Sequence, residues 1–385
     1  MKQEVTTKKV FIRTLGCQMN SRDSEVICGL LQKAGFKIIE DEAKADIVLF
    51  NTCSVRQHAE EKVWSAVGNS KAKIIGIVGC MANNYREAIF EKSPKVDFVV
   101  GTADIAKIPS IIAEIEKHKG SLLEKKIYET DANFREDEIY HTGFHLDKDH
   151  AFVVISEGCE NYCSYCVVPY VRGKLRSRDS QDIINEIKED IDAGISKITL
   201  LGQNVNAYAS HVTRYTSQVD FTELLKLVNQ IQGLKEFSFV TSHPKDTSVE
   251  LFKAMVDLDK LKKYLHLPVQ SGSDKILKLM NRRYTRDFYL DLVKDFRKIV
   301  KNGALSTDII VGFSTETEKD FQDSYDLVKE IEFNSAYIFK YSPRPHTEAA
   351  KMADTVLKEE KERRHQLILN LQKKISLQKK CLKIK

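Results

Sequence analysis

The sequence predicts an α/β protein of two domains, an N-terminal doubly wound parallel sheet followed by an open (β/α)6 partial TIM barrel. Three observations carry that prediction. Short continuous apolar runs alternate with helix-period segments along the chain, as strands buried on both faces of a parallel sheet require. The alternation is interrupted once, by a polar aperiodic stretch at residues 126–149. The chain of 385 residues is long enough for two sizeable cores.

In the first domain, residues 8–125, the run Val10-Phe11-Ile12-Arg13-Thr14-Leu15 reads as a strand ending at Gly16-Cys17. A helix over Ser21 to Ala34 follows, with Gly35 in the place of a C-cap glycine. Asp46 to Phe50 is the next strand, ending at Asn51-Thr52-Cys53; Ser54 and Gln57 fit a capping box for a helix to Val67, closed by Gly68. Lys73 to Val78 is a third strand, ending at Gly79-Cys80, with a helix around Tyr85 to Glu91; Val96 to Gly101 adds a fourth. Cys17, Cys53 and Cys80 therefore sit just past the carboxyl ends of strands, on the edge where open parallel sheets bind ligands. Helix N-termini nearby favour thiolates. Three converging thiolates make a metal site; three buried core cysteines are the alternative. Cys28, inside a helix, and Cys381, in the tail, read as bystanders.

The stretch 126–149 reads as a linker, and His141, His145 and His150 as solvated loop histidines. In the second domain, residues 150–356, strands at Ala151 to Ile155, Lys197 to Leu201, Glu236 to Val240, Tyr264 to Leu267, Leu305 to Val311 and Ala336 to Lys340 alternate with helices. Six such units fall short of the eight that close a TIM barrel. Active sites of such barrels lie at the carboxyl ends of the strands. Gly202-Gln203-Asn204, Thr241-Ser242-His243, Gln270-Ser271 and Ser342-Pro343-Arg344-Pro345 follow four of the strands, and Asp308 lies within the fifth. Together they ring one mouth.

Facing that mouth is the loop after the first barrel strand, where Cys159, Cys163 and Cys166 are spaced CxxxCxxC. Thiolates select zinc, Cu(I) or iron–sulfur clusters. Structural zinc wants four ligands, and no matching pair accompanies these three. A four-iron cluster on three cysteines leaves one iron open for substrate. A disulfide framework suits a short secreted chain, which this is not. Met1 to Lys9 is polar rather than a signal peptide, no apolar run reaches a membrane span of about 20 residues, and eight cysteines without a leader point to reduced thiols in the cytoplasm. The net charge is +5, but residues 357–385 carry ten Lys/Arg against three Glu, a local +7. Such a basic helix suits a polyanion, or is one solvated face.

The loop Gly158-Cys159 to Cys166-Val167-Val168-Pro169-Tyr170-Val171-Arg172-Gly173 resembles the methylthiotransferase branch of the radical S-adenosylmethionine (SAM) enzymes. Thr14-Leu15-Gly16-Cys17-Gln18-Met19-Asn20, Asn51-Thr52-Cys53-Ser54-Val55-Arg56 and Gly79-Cys80-Met81-Ala82 resemble that family's N-terminal domain, in the wording of its MiaB branch, which modifies tRNA. The RimO branch, which modifies a ribosomal protein, typically has Pro-Lys-Asn after the first cysteine.

The resemblance covers nearly the whole chain and implies a barrel of radical SAM type with two 4Fe-4S clusters. One would be held by Cys159, Cys163 and Cys166, the other by Cys17, Cys53 and Cys80. It implies reductive cleavage of SAM to a 5′-deoxyadenosyl radical, hydrogen removal from adenine C-2, and methylthio transfer. The implied substrate is N6-isopentenyladenosine beside the anticodon of tRNA. A low-potential electron donor and a sulfur donor would be needed, with a monomeric cytoplasmic protein and no membrane. Gln203, Asn204, Ser242, His243, Gln270 and Asp308 are the candidates for holding SAM. Arg172, Lys174, Arg176 and Arg178 are the candidates for RNA phosphates, unless they pair with acidic neighbours. Rival readings are a methylthiotransferase for threonylcarbamoyl-adenosine tRNA or a ribosomal-protein aspartate, and an inactive iron–sulfur scaffold. Two features depart from the family pattern. His346 replaces the glycine of Ser-Pro-Arg-Pro-Gly-Thr. The family continues after the basic helix into a TRAM domain that binds RNA, whereas this sequence stops at Lys385, so the tail and the basic loop are expected to carry RNA affinity.

Overall fold

A computed structural model describes residues 7–54, 57–119, 125–130, 134–211 and 218–383. Val55, Arg56 and the side chains of Gln57 and Cys381, on which parts of the expectations above fall, lie outside the described set.

β1 (Lys9–Leu15), β2 (Lys37–Ile38), β3 (Ile47–Thr52), β4 (Ile74–Gly79), β5 (Phe98–Val100) and β6 (Ile127–Glu129) form one parallel sheet in the order β2-β1-β3-β4-β5-β6. β3 and β4 are buried at every residue because helices cover both faces. Alternate strand residues sort to the two sides, as a period of two demands. Leu49, Val78 and Val100 pack with α1 (Gln18–Lys33), whereas Val48, Ile77 and Val99 pack with α2 (Gln57–Asn69), α3 (Cys80–Tyr85) and α4 (Ala88–Lys92). α5 (Ile108–His118) joins the α1 face through Ile108, Ile111, Ile112 and Ile115. The single helix expected around Tyr85 to Glu91 is broken in two at Arg86, whose φ of 50° cannot continue a helix. Ser54 spends its hydroxyl on Glu60 Oε1, at 2.5 Å.

β7 (His150–Val154) opens the barrel and leads into an antiparallel pair, β8 (Ser156–Glu157) with β9 (Arg176–Ser177), that brackets the cysteine loop. α6 (Val168–Arg172) lies inside that bracket. After α7 (Ser180–Asp192) come β10 (Lys197–Leu201), an antiparallel pair β11 (Ala209–His211) with β12 (Gln218–Asp220), α8 (Phe221–Asn229), β13 (Glu236–Phe239) and α9 (Val249–Asp257). β14 (Tyr264–His266), α10 (Asp274–Leu279), α11 (Arg286–Ile299), β15 (Ala304–Val311), α12 (Glu318–Ile331) and β16 (Ser335–Lys340) complete it. β7-β10-β13 and β14-β15-β16 are parallel groups. Phe237 bridges to Leu261, and Ser242 N donates to His266 O at 3.4 Å, so the six barrel strands curve as one open wall. α13 (Lys358–Lys383) packs along β16 through buried Ile368 and Ile375. Among the described residues no helix is long and apolar enough to cross a membrane.

The expected linker at 126–149 is not simply a tether. It supplies β6, buries Tyr140 against the first core, and sends His145 between the domains to Asp190 Oδ1, at 2.7 Å. His150 points into the barrel lumen, 2.8 Å from Thr199 Oγ1. Neither is a solvated loop histidine. His145 meets a carboxylate of another element, whereas burial keeps His150 neutral beside Phe152 and the Thr199 hydroxyl.

Candidate active site

β1, β3 and β4 are adjacent, and their register pairs Leu15 with Thr52 and Thr52 with Gly79. Cys17, Cys53 and Cys80 follow those residues directly or by two positions and so stand side by side on one sheet edge. α1 begins at Gln18, three residues before the expected Ser21, which makes Cys17 its N-cap. Cys17 N donates to Asn20 Oδ1 at 3.2 Å, and Asn20 Nδ2 donates to Asn51 Oδ1 at 3.0 Å. Cys53 N donates to Leu15 O at 2.9 Å. Gly79 needs its lack of a side chain: with φ of 93°, an added Cβ would lie 2.9 Å from Thr52 O. Burial pushes the Cys80 thiol up, and Arg172 beside it pulls the other way.

The second set is built locally. Gly158, at φ 75°, has Lys174 O where a Cβ would stand, so the loop closes only on glycine. Cys159 N donates to Gly173 O at 3.2 Å and Cys166 N to Cys163 O at 2.9 Å. The turn after α10 pins the loop: Asn281 Nδ2 donates to Tyr162 O at 2.9 Å, and Ser164 Oγ to Leu279 O at 2.7 Å. Burial raises the Cys159 and Cys166 thiols, the latter to about 12, and each feels the charge of Cys163. Such a set is costly as bare thiolates and is neutralised when a bound cation replaces the protons.

The two sets face one interdomain seam. α6, which begins two residues after Cys166, packs on α3, which begins with Cys80, through a small cluster of Cys80, Val167 and Val171. Asp23 of α1 binds Arg172 Nη2 at 2.6 Å and Arg135 Nη1 at 2.7 Å, and Glu157 takes Arg172 Nη1 at 3.3 Å. Burial opposes ionisation of Asp23, but the two guanidiniums outweigh it and hold its carboxyl below the ordinary range. Arg344 and His346 close the other side of the seam, on Glu60 Oε2 (3.2 Å) and Asn84 O (3.3 Å).

Of the basic residues expected to meet phosphate, Arg178 is fully buried, paired with Asp182 and with Glu186 Oε2, and Arg172 is spent on the seam. That corrects the expectation for both: the acidic neighbours lie on α1 and α7. Lys174 is exposed, and Arg176 is partly exposed beside Asp137, at 2.7 Å.

At the barrel mouth, Gln203 Oε1, Asn204 Oδ1 and Ser242 Oγ are buried without a hydrogen-bond partner, while Asn204 Nδ2 donates to Asp246 Oδ2 at 2.6 Å. Gln270, at φ 73°, donates its N–H to Asp308 O at 2.9 Å. Asp308 Oδ2 is 3.5 Å from His266 Nε2 within the lumen. His243 lies next to the cysteine loop. Its Nδ1 accepts the Lys245 N–H at 3.2 Å, and its Nε2 faces Cys163 Sγ at 4.0 Å, so the ring addresses the cysteine loop. Burial and the nearby Arg282 hold its imidazole neutral, lowered to about 2. Arg282, which donates Nη1 to Cys163 Sγ at 3.4 Å, was not among the candidate site residues.

The donor chemistry fits a cluster. Among the described residues no three His, Cys, Asp or Glu side chains close on a point as ligands of a single metal ion would. Sets of cysteine thiols are the ligands that iron–sulfur centres take. The orphaned polar atoms at the mouth fit a polar cofactor there.

Residues 9–101 match the model of the uncharacterized protein family UPF0004, and residues 153–328 that of the radical SAM superfamily. The tRNA-2-methylthio-N(6)-dimethylallyladenosine synthase of Clostridium novyi (strain NT) is 45% identical over 366 residues, 92% of this chain and 78% of that protein. The synthase of the same name from Thermoanaerobacter sp. (strain X514) is 45% identical over 377 residues, 96% of this chain and 78% of that protein. Among solved structures, the radical SAM methyltransferase TsrM from Kitasatospora setae, with cobalamin and a 4Fe-4S cluster, aligns at TM-score 0.58 and 12% identity over 89% of this chain and 77% of that one. The cobalamin-dependent radical SAM enzyme OxsB aligns at TM-score 0.53 and 13% identity over 95% of this chain and 56% of that one. These two share the fold.

Fold, cysteine loop and relatives define a radical SAM enzyme that transfers a methylthio group, with a 4Fe-4S cluster and SAM as its cofactors. Within that class, the chain belongs to the tRNA-2-methylthio-N(6)-dimethylallyladenosine synthase family.

Proposed function

We propose that this chain inserts a methylthio group at C-2 of N6-isopentenyladenosine beside the anticodon of tRNA, in the cytoplasm, as a monomer with two 4Fe-4S clusters. The observation that carries this reading is the seam at which α3 and α6 bring the two three-cysteine sets to one interface. When bound, the cluster on Cys159, Cys163 and Cys166 supplies the electron that cleaves SAM, and the one on Cys17, Cys53 and Cys80 carries the sulfur. The chain's own residues hold and seal the site. Gln203, Asn204 and Ser242 offer their unpartnered oxygens to SAM. Val167 and Val171 wall the seam with apolar surface, which keeps water from a reactive radical. Asp23, Arg135, Arg172 and Glu157 lock the domains together. Lys174 and Arg176 are placed to meet phosphates while the target base is splayed into the mouth. The electron donor and sulfur donor are external.

The test is incubation of the anaerobically reconstituted chain with SAM, reductant and isopentenylated tRNA, followed by nucleoside mass spectrometry. A 2-methylthio product is expected. 5′-Deoxyadenosine without that product would overturn the assigned substrate, and neither product would overturn the enzyme.

A further inference from the structure

Arg282 lies in the turn that pins the cysteine loop, and it is 4% exposed. Its guanidinium is held on three sides: Nε donates to Tyr284 Oη at 2.9 Å, Nη2 to Pro268 O at 2.6 Å and Nη1 to Cys163 Sγ at 3.4 Å. The other buried arginines all have carboxylate partners: Arg22 with Glu25 and Glu186, Arg135 with Asp23, Arg178 with Glu186, Arg344 with Glu60, and Arg364 with Glu316. Among the described residues Arg282 pairs with none. A buried charge persists only where a counter-charge or a full set of acceptors compensates it, and beside the oxygens of Pro268, Tyr284 and Tyr165 the acceptor within its reach is the Cys163 sulfur, which would be a thiolate with a cluster bound. His243 reinforces the direction. Its Nδ1 accepts a backbone N–H, so Nε2 carries the ring hydrogen and presents it to the same sulfur.

We propose that Arg282, seconded by His243, is a positioning residue that tunes the cluster on Cys159, Cys163 and Cys166, making that cluster easier to reduce. The proposal rests on the cluster reading given above. A cationic donor on a ligating sulfur favours the form with one more electron, because that form carries more negative charge. The electron comes from the external low-potential donor, and no bond in the protein breaks. The fixed fork of Arg282 also holds Cys163 in place through Pro268 and Tyr284.

The test uses the full chain carrying Cys17→Ala, Cys53→Ala and Cys80→Ala, so that one cluster remains, reconstituted anaerobically and titrated against dithionite with electron paramagnetic resonance. Arg282→Gln is expected to load iron yet titrate at a more negative potential, with the reduced-to-oxidised ratio at a fixed poise lower by roughly tenfold. Arg282→Lys, which keeps the charge, is expected to recover part of the shift. His243→Phe is expected to move the potential the same way by less, and it keeps the proposal testable if Arg282→Gln does not fold. Wild-type potentials in Arg282→Gln, or in His243→Phe where that variant stands in, would overturn the tuning role while leaving the cluster reading intact. A parent chain with no reducible cluster would overturn the cluster reading, and the proposal with it.

Discussion

The two cysteine sets reach similar surroundings by opposite routes. Cys159, Cys163 and Cys166 come from one loop that glycine and a neighbouring turn hold shut. Cys17, Cys53 and Cys80 come from three strand ends, and only the register of β1, β3 and β4 makes them neighbours. Each set is faced by a buried arginine, but Arg172 shares Asp23 and Glu157 whereas Arg282 has no carboxylate. The local set is autonomous and electrostatically tied to its own sulfur. The distributed set depends on a folded sheet and on the docking of the two domains.

Breaking one set at a time gives the largest effect. Cys159→Ala is expected to abolish both 5′-deoxyadenosine and the methylthio nucleoside, whereas Cys17→Ala is expected to lose the nucleoside and keep 5′-deoxyadenosine. Chromatography of both products distinguishes them, and loss of 5′-deoxyadenosine in Cys17→Ala would merge the two sites. Next comes the seam. Asp23→Ala leaves Arg135 and Arg172 without the carboxylate they share, and removing one partner of a buried pair costs about 3–5 kcal/mol. Urea unfolding should show that loss together with lower iron retention by Cys17, Cys53 and Cys80 than by the barrel set.

The third effect is on pH. Burial works against charge on His145, but Asp190 and Glu25 outweigh it, Arg22 opposing, and raise its imidazole to about 9. A raised folded value means that the interdomain ion pair contributes in full below the unfolded value of about 6.5 and is lost as pH rises through about 9. Stability at pH 6 should exceed that at pH 9.5 by about 2–3 kcal/mol, and His145→Gln should flatten that difference. The smallest effect is at His346, where φ is 68°. His346→Gly relieves a left-handed strain of about 1 kcal/mol and loses the contact to Asn84 O, so thermal unfolding should shift by only a few degrees.

The placement of both cysteine sets was legible because strand ends and a CxxxCxxC loop are local signals. Alternation of apolar runs and helices likewise placed the sheet and the six barrel strands. What was not legible depended on which side chains the fold brings together. Arg178 looked like a phosphate contact until α7 supplied Asp182 and Glu186. His145 looked solvated until Asp190 met it across the seam. Arg282 was not singled out because no period marks a turn that folds back under Cys163. Charge on a sequence does not tell whether it faces water, RNA or another side chain.

The central claim, two independent clusters across one seam, is tested most directly by iron and sulfide content with Mössbauer spectra of the reconstituted chain. The comparison is with two triple variants, one with Cys17, Cys53 and Cys80 changed to Ala, the other with Cys159, Cys163 and Cys166 changed to Ala. Each variant is expected to keep half of the parent's iron as a single 4Fe-4S species. Loss of all the iron in either variant, or of none, would contradict the account.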